Sequence, residues 1–387
     1  MSKEPLALVL SGGSVRAAAQ IGVIRALEEY NIQPKLVVGT SGGSIVAALY
    51  AAGMDSKQIA QLFTSFSGER HSLLDFNWLN LIIGLILRDR SKLSGLIKGR
   101  VLESIVDSHL LKAKTFPELG ALTKKDPTVR QLMISAVNLS DGQETIFCDL
   151  GSLDIPVVNG EYKGFRLCNH LTIAQAVRAS ISIPGVFVPA KFSNNTLCVC
   201  YRSKLKSASS INSYEYYVDG GIRNGYPFNA AVKLGGITKI IGVNLGYAGM
   251  RREDIVTKGP VEILSQSLDI MMMDQVLGDL MDQDVQKANI ITINPLIYDI
   301  STFDLEYIPQ MIDRGYQVAT RLFQQKGLVR AGDSKSNMRL LFAHHKRFID
   351  FPQKGTPYFK ELVNNQIKSA IGLSEKQQEN QLTKIAR

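Results

Sequence analysis

The 387-residue chain is poor in the side chains that bind metals, form redox pairs or span membranes. It has four cysteines, Cys148, Cys168, Cys198 and Cys200. None falls in a C-x-x-C pair or at a Cys/His ligand spacing, so no metal site is expected. Cys198-Val199-Cys200 leaves a redox pair open, but two strand thiols are the simpler reading. The five histidines, His71, His109, His170, His344 and His345, lie outside every glycine-rich stretch of the chain. The glycines match neither G-x-G-x-x-G nor a loop ending in G-K-[ST]. Dinucleotide and Walker-type sites are therefore excluded, and no cofactor is expected. No apolar run reaches 18 residues, which excludes a membrane-spanning helix of ordinary length. The opening Met1-Ser2-Lys3-Glu4-Pro5 leads into only five apolar residues, too few for the core of a secretion signal. With free thiols, this predicts a reducing, cytoplasmic location. There are no internal repeats and no nucleic-acid-binding signature, so no nucleic-acid partner is expected.

At 45% hydrophobic and 20% charged residues, the composition is that of a globular protein. The net charge of +9 is unevenly spread. Residues 329–387 carry eleven Lys/Arg against five Asp/Glu, a surplus of six that leaves only three for the first 328 residues. The chain thus divides into a near-neutral domain, 1–328, and a basic C-terminal extension, 329–387. Such an extension either attracts an anionic membrane surface, giving peripheral contact, or is plain solvated charge.

Three stretches carry chemistry. The first is Gly39-Thr40-Ser41-Gly42-Gly43, a G-x-S-x-G pattern. The β-branched run Leu36-Val37-Val38 before it reads as a buried strand, and Ser44 to Ala52 after it as a helix ended by Gly53. A tight strand-to-helix turn exposes the Ser41 hydroxyl at its tip and aims the helix N-terminus at the same spot. The second is Ser11-Gly12-Gly13-Ser14-Val15-Arg16, between the strand-like Leu6–Leu10 and a helix-like run from Ala17 to Tyr30. Adjacent glycines there leave bare amides suited to an oxyanion, and Arg16 is placed to steady the loop or to meet a phosphate. The third is Asp219-Gly220-Gly221, after the strand-like Tyr216-Tyr217-Val218, which sets a carboxylate at a strand end.

These stretches resemble the patatin-like phospholipases, lipid acyl hydrolases with a Ser–Asp dyad. Gly12, Gly13 and Arg16 match that family's glycine-rich loop. Ser41, with Gly39, Gly42 and Gly43, matches its nucleophile motif, and Asp219-Gly220-Gly221 its D-G-[GA]. Ala176 to Phe187, Phe303-Asp304 and Arg314-Gly315-Tyr316 add to the likeness, which covers about residues 5–328 in the right order. Ser14 and Ala17 stand where the family has glycines, and a positive φ at either would carry strain. The resemblance implies a three-layer α/β/α fold with a mostly parallel central sheet. It also implies Ser41 as nucleophile, Asp219 as base, and an oxyanion hole formed by Gly12, Gly13 and Ser14 with Arg16 beside it.

The expected function is that of a phospholipase A or lysophospholipase acting on ester-linked fatty acids of a lipid substrate, through an acyl-enzyme. Two alternatives stay open. One is an α/β-hydrolase-type carboxylesterase whose triad would run Ser41, Asp219, then His344 or His345. The other is a catalytically silent lipid-binding protein. Elsewhere, 73–98 is dense in large apolar residues with a basic flank and holds the lone tryptophan, Trp78. It reads as a buried helix or as a cap that touches lipid. Residues 192–214 read as an inserted polar loop, Met271-Met272-Met273 as core-facing with a lipid pocket as the alternative, and Tyr358 to Ile371 as a tail helix.

Overall fold

In the computed structural model of the chain, residues 5–68, 75, 94–152, 161–193, 214–246, 255–295, 297, 300 and 304–343 are described. The expectations for most of 73–98, for 194–213 of the polar loop, for Cys198 and Cys200, for His71, His344 and His345 and for the 358–371 helix lie outside them; residues 192, 193 and 214, expected in that loop, belong to strands. Among the described residues the strands are β1 (Leu6–Leu10), β2 (Leu36–Thr40), β3 (Gly95–Ile97), β4 (Gln131–Asn138), β5 (Glu144–Cys148), β6 (Glu161–Tyr162), β7 (Phe165–Cys168), β8 (Gly185–Phe187), β9 (Ala190–Ser193), β10 (Tyr214–Asp219), β11 (Lys239–Val243) and β12 (Asn289–Ile293). The helices are α1 (Ala18–Glu29), α2 (Gly42–Ala51), α3 (Ser56–Ser65), α4 (Arg100–His109), α5 (Phe116–Leu122), α6 (Ile173–Ser180), α7 (Gly221–Asn224), α8 (Phe228–Lys233), α9 (Pro260–Asp279), α10 (Ile308–Gln325) and α11 (Ser334–Phe342).

One ten-stranded sheet runs β12-β11-β1-β2-β4-β5-β7-β6, with β10 on β4 and β9 on β10. The pairs from β12 through β4, and β5 with β7, are parallel, whereas β4–β5, β6–β7, β4–β10 and β9–β10 are antiparallel. The centre is therefore parallel, as expected, and the antiparallel pairs sit to one side. β1 is buried on both faces. Its Leu6, Leu8 and Leu10 join a core with α1, α2 and α10, while Ala7 and Val9 join a second core with α8 and Val276 of α9. Apolar clusters on both faces of one sheet make three layers, α/β/α.

α1 and α10 pack with backbone almost touching backbone. A Cβ on Gly22 would overlap the carbonyl of Ile312, and one on Gly315 the carbonyl of Ala19. These two glycines are a reciprocal notch, the reason for glycine inside each helix. α3, α5 and α6 start on capping boxes, Asp55 with Gln58, Thr115 with Glu118 and Thr172 with Gln175. The described part of the basic segment, residues 329–343, lies on the domain. Leu341 and Phe342 of α11 enter the first core, and the Asn337 amide donates to the carbonyls of Tyr30 and Val329.

Candidate active site

The site is made by two strands that meet end to end on one edge of β4. β2 pairs with Gln131 to Ser135 and finishes with Thr40 opposite Ser135. β10 comes from the other direction along β4 and finishes with Asp219 opposite Ala136. β5 holds Met133 to Val137 on the far side of β4, so β2 and β10 share the near edge. Adjacent residues of β4 thus bring Ser41 and Asp219 together across 178 positions of sequence. The Ser41 hydroxyl donates to Asp219 Oδ2 at 2.6 Å, and both residues are buried. Asp219 Oδ1 accepts the Gly221 amide at 2.7 Å. Burial pushes the Asp219 carboxyl up to about 7, against the lowering effect of those two hydrogen bonds.

Ser41 has φ 53° and ψ −131°, a conformation that costs a non-glycine residue about 1–3 kcal/mol. Its neighbours over-determine it. Its amide donates to Ser180 Oγ at 2.8 Å, and its carbonyl accepts the Ser44 amide at 2.8 Å and the Ser44 hydroxyl at 2.6 Å. Ser180 Oγ donates in turn to the Ser135 carbonyl at 2.6 Å, and the Asp219 amide donates to the Ser182 carbonyl at 3.0 Å. The buried Arg178 ties this bend together. Its guanidinium donates to Ser182 Oγ at 2.5 Å, to the Lys98 carbonyl and, at 2.6 Å, to the Val188 carbonyl. The stretch from Ala176 to Phe187 is thus the splint for both site residues. Its sequence signalled family likeness but not this role.

The glycines of the site are there for space. A Cβ on Gly42 would overlap the Ser14 carbonyl oxygen, one on Gly43 the Ser11 carbonyl, and one on Gly220 the Ser135 carbonyl. One on Gly39 would meet Ala47 Cβ and the Gly43 carbonyl at 2.7 Å. The first turn of α2 therefore lies directly against the loop after β1. Positive φ falls on the serines instead: Ser14, at φ 52°, bears the strain foreseen for a missing glycine, while Ala17, at φ −57°, does not.

Two members of the expected oxyanion hole are corrected. The Gly12 amide donates to the Gly225 carbonyl at 2.8 Å, so it is not free for an oxyanion. Of the two roles expected for Arg16, steadying the loop fits and meeting a phosphate does not: it is buried and pairs with Asp269 of α9 at 2.9 Å. Among the described residues, the Gly13 and Ser14 amides have no backbone or side-chain acceptor, and neither does that of Gly42. The motifs alone did not single out the Gly42 amide, although it belongs to the residue after an elbow serine, the position that commonly supplies such a donor. The loop is held by Gln20 Nε2 on the Ser11 carbonyl at 2.8 Å and by Ser11 Oγ, which accepts the Leu245 amide at 2.8 Å.

A polar network lies behind Asp219. Thr40 Oγ1 donates to the Asn224 carbonyl at 2.9 Å, and Asn224 Nδ2 to Glu144 Oε1 at 2.8 Å and Asn229 Oδ1 at 2.7 Å. Glu144 also accepts Ser135 Oγ at 2.9 Å, and burial pushes its carboxyl up to about 7. Among the described residues no group of His, Cys, Asp and Glu could hold a metal, and no helix is long and apolar enough to cross a membrane.

The sequence model of the patatin-like phospholipases matches residues 8–232, more than half of the chain. The chain is 32% identical over 196 residues to the uncharacterized protein YqhO of Bacillus subtilis, a match covering 49% of this chain and 59% of that one. It is 28% identical over 245 residues to triacylglycerol lipase 5 of Saccharomyces cerevisiae, covering 61% and 29%. It is 44% identical over 73 residues to lysophospholipase NTE1 of Chaetomium globosum, covering 19% and 5%. The matched region thus spans less than two thirds of each of these relatives.

Proposed function

Because the chain belongs to the patatin-like phospholipase family, we propose that it is a lipid acyl hydrolase in which Ser41 and Asp219 work as a dyad. The observation that carries this reading is the direct 2.6 Å hydrogen bond between Ser41 Oγ and Asp219 Oδ2. Asp219 takes the hydroxyl proton as Ser41 Oγ attacks the ester carbonyl. The amides of Gly13 and Ser14, with that of Gly42, hold the tetrahedral oxyanion. Asp219 returns the proton to the departing alcohol. It then deprotonates the water that cleaves the acyl-enzyme, releasing the fatty acid and restoring Ser41. An ester of a phospholipid or lysophospholipid is the substrate class. A contact of 2.6 Å leaves no space for an imidazole between the two side chains, which favours the dyad over a Ser-Asp-His triad.

The test is mass spectrometry of lipids incubated with purified wild-type, Ser41→Ala and Asp219→Ala chains. Each substitution lowers fatty-acid release by a thousandfold or more, on the order expected when two groups act as a unit. The double variant is little worse than either. A folded but inactive His344→Ala or His345→Ala chain would refute the dyad in favour of the triad esterase.

A further inference from the structure

Four glycines from three separate turns share one neighbour. A Cβ on Gly12, in the loop after β1, would stand 3.2 Å from Ser41 Cβ and 3.7 Å from Met272 Sδ. One on Gly221, after β10, would stand 3.0 Å from Asp219 Oδ1 and 3.1 Å from Met272 Sδ. One on Gly225 would overlap Met272 Cγ and Sδ, and one on Gly246, after β11, would lie 3.9 Å from Met272 Cε. The Met272 side chain therefore packs against the same glycine turns that border Ser41 and Asp219. It is buried, while its neighbours Ile270 and Met271 on α9 are exposed.

α9 is pinned on either side of this residue. One turn before it, Asp269 pairs with Arg16 at 2.9 Å, tying the helix to the loop that carries Gly13 and Ser14. One turn after it, Gln275 Nε2 donates to the Ile222 carbonyl, tying the helix to the turn that follows Asp219. Residues 269, 272 and 275 recur at three-residue spacing and share a face. With the helix fixed at both ends of this segment, room beside Ser41 comes from the Met272 side chain itself. An unbranched side chain with three rotatable bonds makes such room readily.

We propose that Met272 is the specificity-determining residue of this site. It yields by rotation to a flexible, unbranched acyl chain and excludes acyl groups branched next to the carbonyl. This rests on the acyl-hydrolase reading of Ser41 and Asp219. It also gives Arg16 and Asp269 a purpose, since they hold the wall against which Met272 moves.

The experiment compares kcat/KM for p-nitrophenyl butyrate and p-nitrophenyl pivalate on the full chain. Wild type favours the butyrate. Met272→Ala shifts the pivalate-to-butyrate ratio upward by about tenfold or more, the scale on which apolar pockets discriminate. Met272→Val, which trims the side chain without emptying the site, shifts it the same way by at least about threefold. The Val variant serves if the Ala variant fails to fold. An active wild type with an unchanged ratio in a folded variant would overturn the role of Met272 alone. A wild type that turns over neither ester and takes no fluorophosphonate at Ser41 would overturn the acyl-hydrolase reading, and the role of Met272 with it.

Discussion

Asp219 is buried, and its carboxyl is pushed up to about 7 by that burial. Only its ionised form can accept the Ser41 proton. Turnover of a soluble ester should therefore rise with pH through about 7, and a kcat/KM profile with its midpoint near 4 would remove Asp219 as the titrating base. Stability runs the other way. Glu144 is likewise pushed up to about 7 and Asp279 to about 6, in each case chiefly by burial. For a carboxylate raised in this way, the folded state holds more protons than the unfolded one from about pH 4 up to the folded value. Its contribution to stability is therefore present in mild acid and lost as pH rises across that window. The melting temperature should fall between pH 5 and pH 8, and Asp219→Asn and Glu144→Gln should each make the fall shallower. A slope unchanged in Glu144→Gln would mean that this carboxyl ionises alike in both states.

At the scale of elements, two helical glycines make opposite predictions. Gly315 of α10 lies where a Cβ would overlap the Ala19 carbonyl, whereas a Cβ on Gly278 of α9 meets nothing within 4 Å. Gly315→Ala gains helix propensity of about 1 kcal/mol but forces α1 and α10 apart, and overpacking of this kind costs about 1–3 kcal/mol. It should lower the melting temperature. Gly278→Ala gains the propensity without the clash and should raise it, by the equivalent of about 0.5–1 kcal/mol. Thermal unfolding followed by circular dichroism decides both. A Gly315→Ala chain more stable than wild type would show that separating the helices costs less than the helix propensity gained.

For the whole molecule, α11 shifts the boundary of the packed unit. Composition divided the chain at 328, yet Leu341 and Phe342 lie in the core shared with α1, α2 and α10. A truncation that removes α11 therefore tests folding rather than surface charge. Removal of 344–387 leaves α11 and takes away eight Lys/Arg and four Asp/Glu. If those residues hold the protein on anionic lipid, this truncation weakens its salt-sensitive association with phosphatidylglycerol vesicles by several-fold and leaves hydrolysis of a soluble ester unchanged. Vesicle association equal to that of the full chain would reduce the surplus to solvated charge.

Local pattern determined most of the framework. The apolar runs Leu6–Leu10 and Leu36–Val38 became adjacent central strands, because β-branched and leucine-rich runs of that length belong between two helical layers. The stretches holding Ser41 and Asp219 were legible because glycine next to serine or aspartate at a strand end is a short-range signature. What the motifs could not express was contact. That β2 and β10 meet on neighbouring residues of β4 is a matter of register between distant segments. The use of the Gly12 amide by Gly225 and the pairing of Arg16 with Asp269 are likewise decided by backbone approach across more than 200 residues. Met272 shows the division plainly. In sequence it is one of three consecutive methionines on a helix, and a helical period alone does not say which of them turns inward. The anchors at Asp269 and Gln275 set the rotation of α9 so that Met272 is buried against the glycine turns of the site, while Met271 is exposed. Composition and spacing specify elements and their chemistry. Which side chains share a cavity is decided only when packing sets the rotation of each helix and the register of each strand.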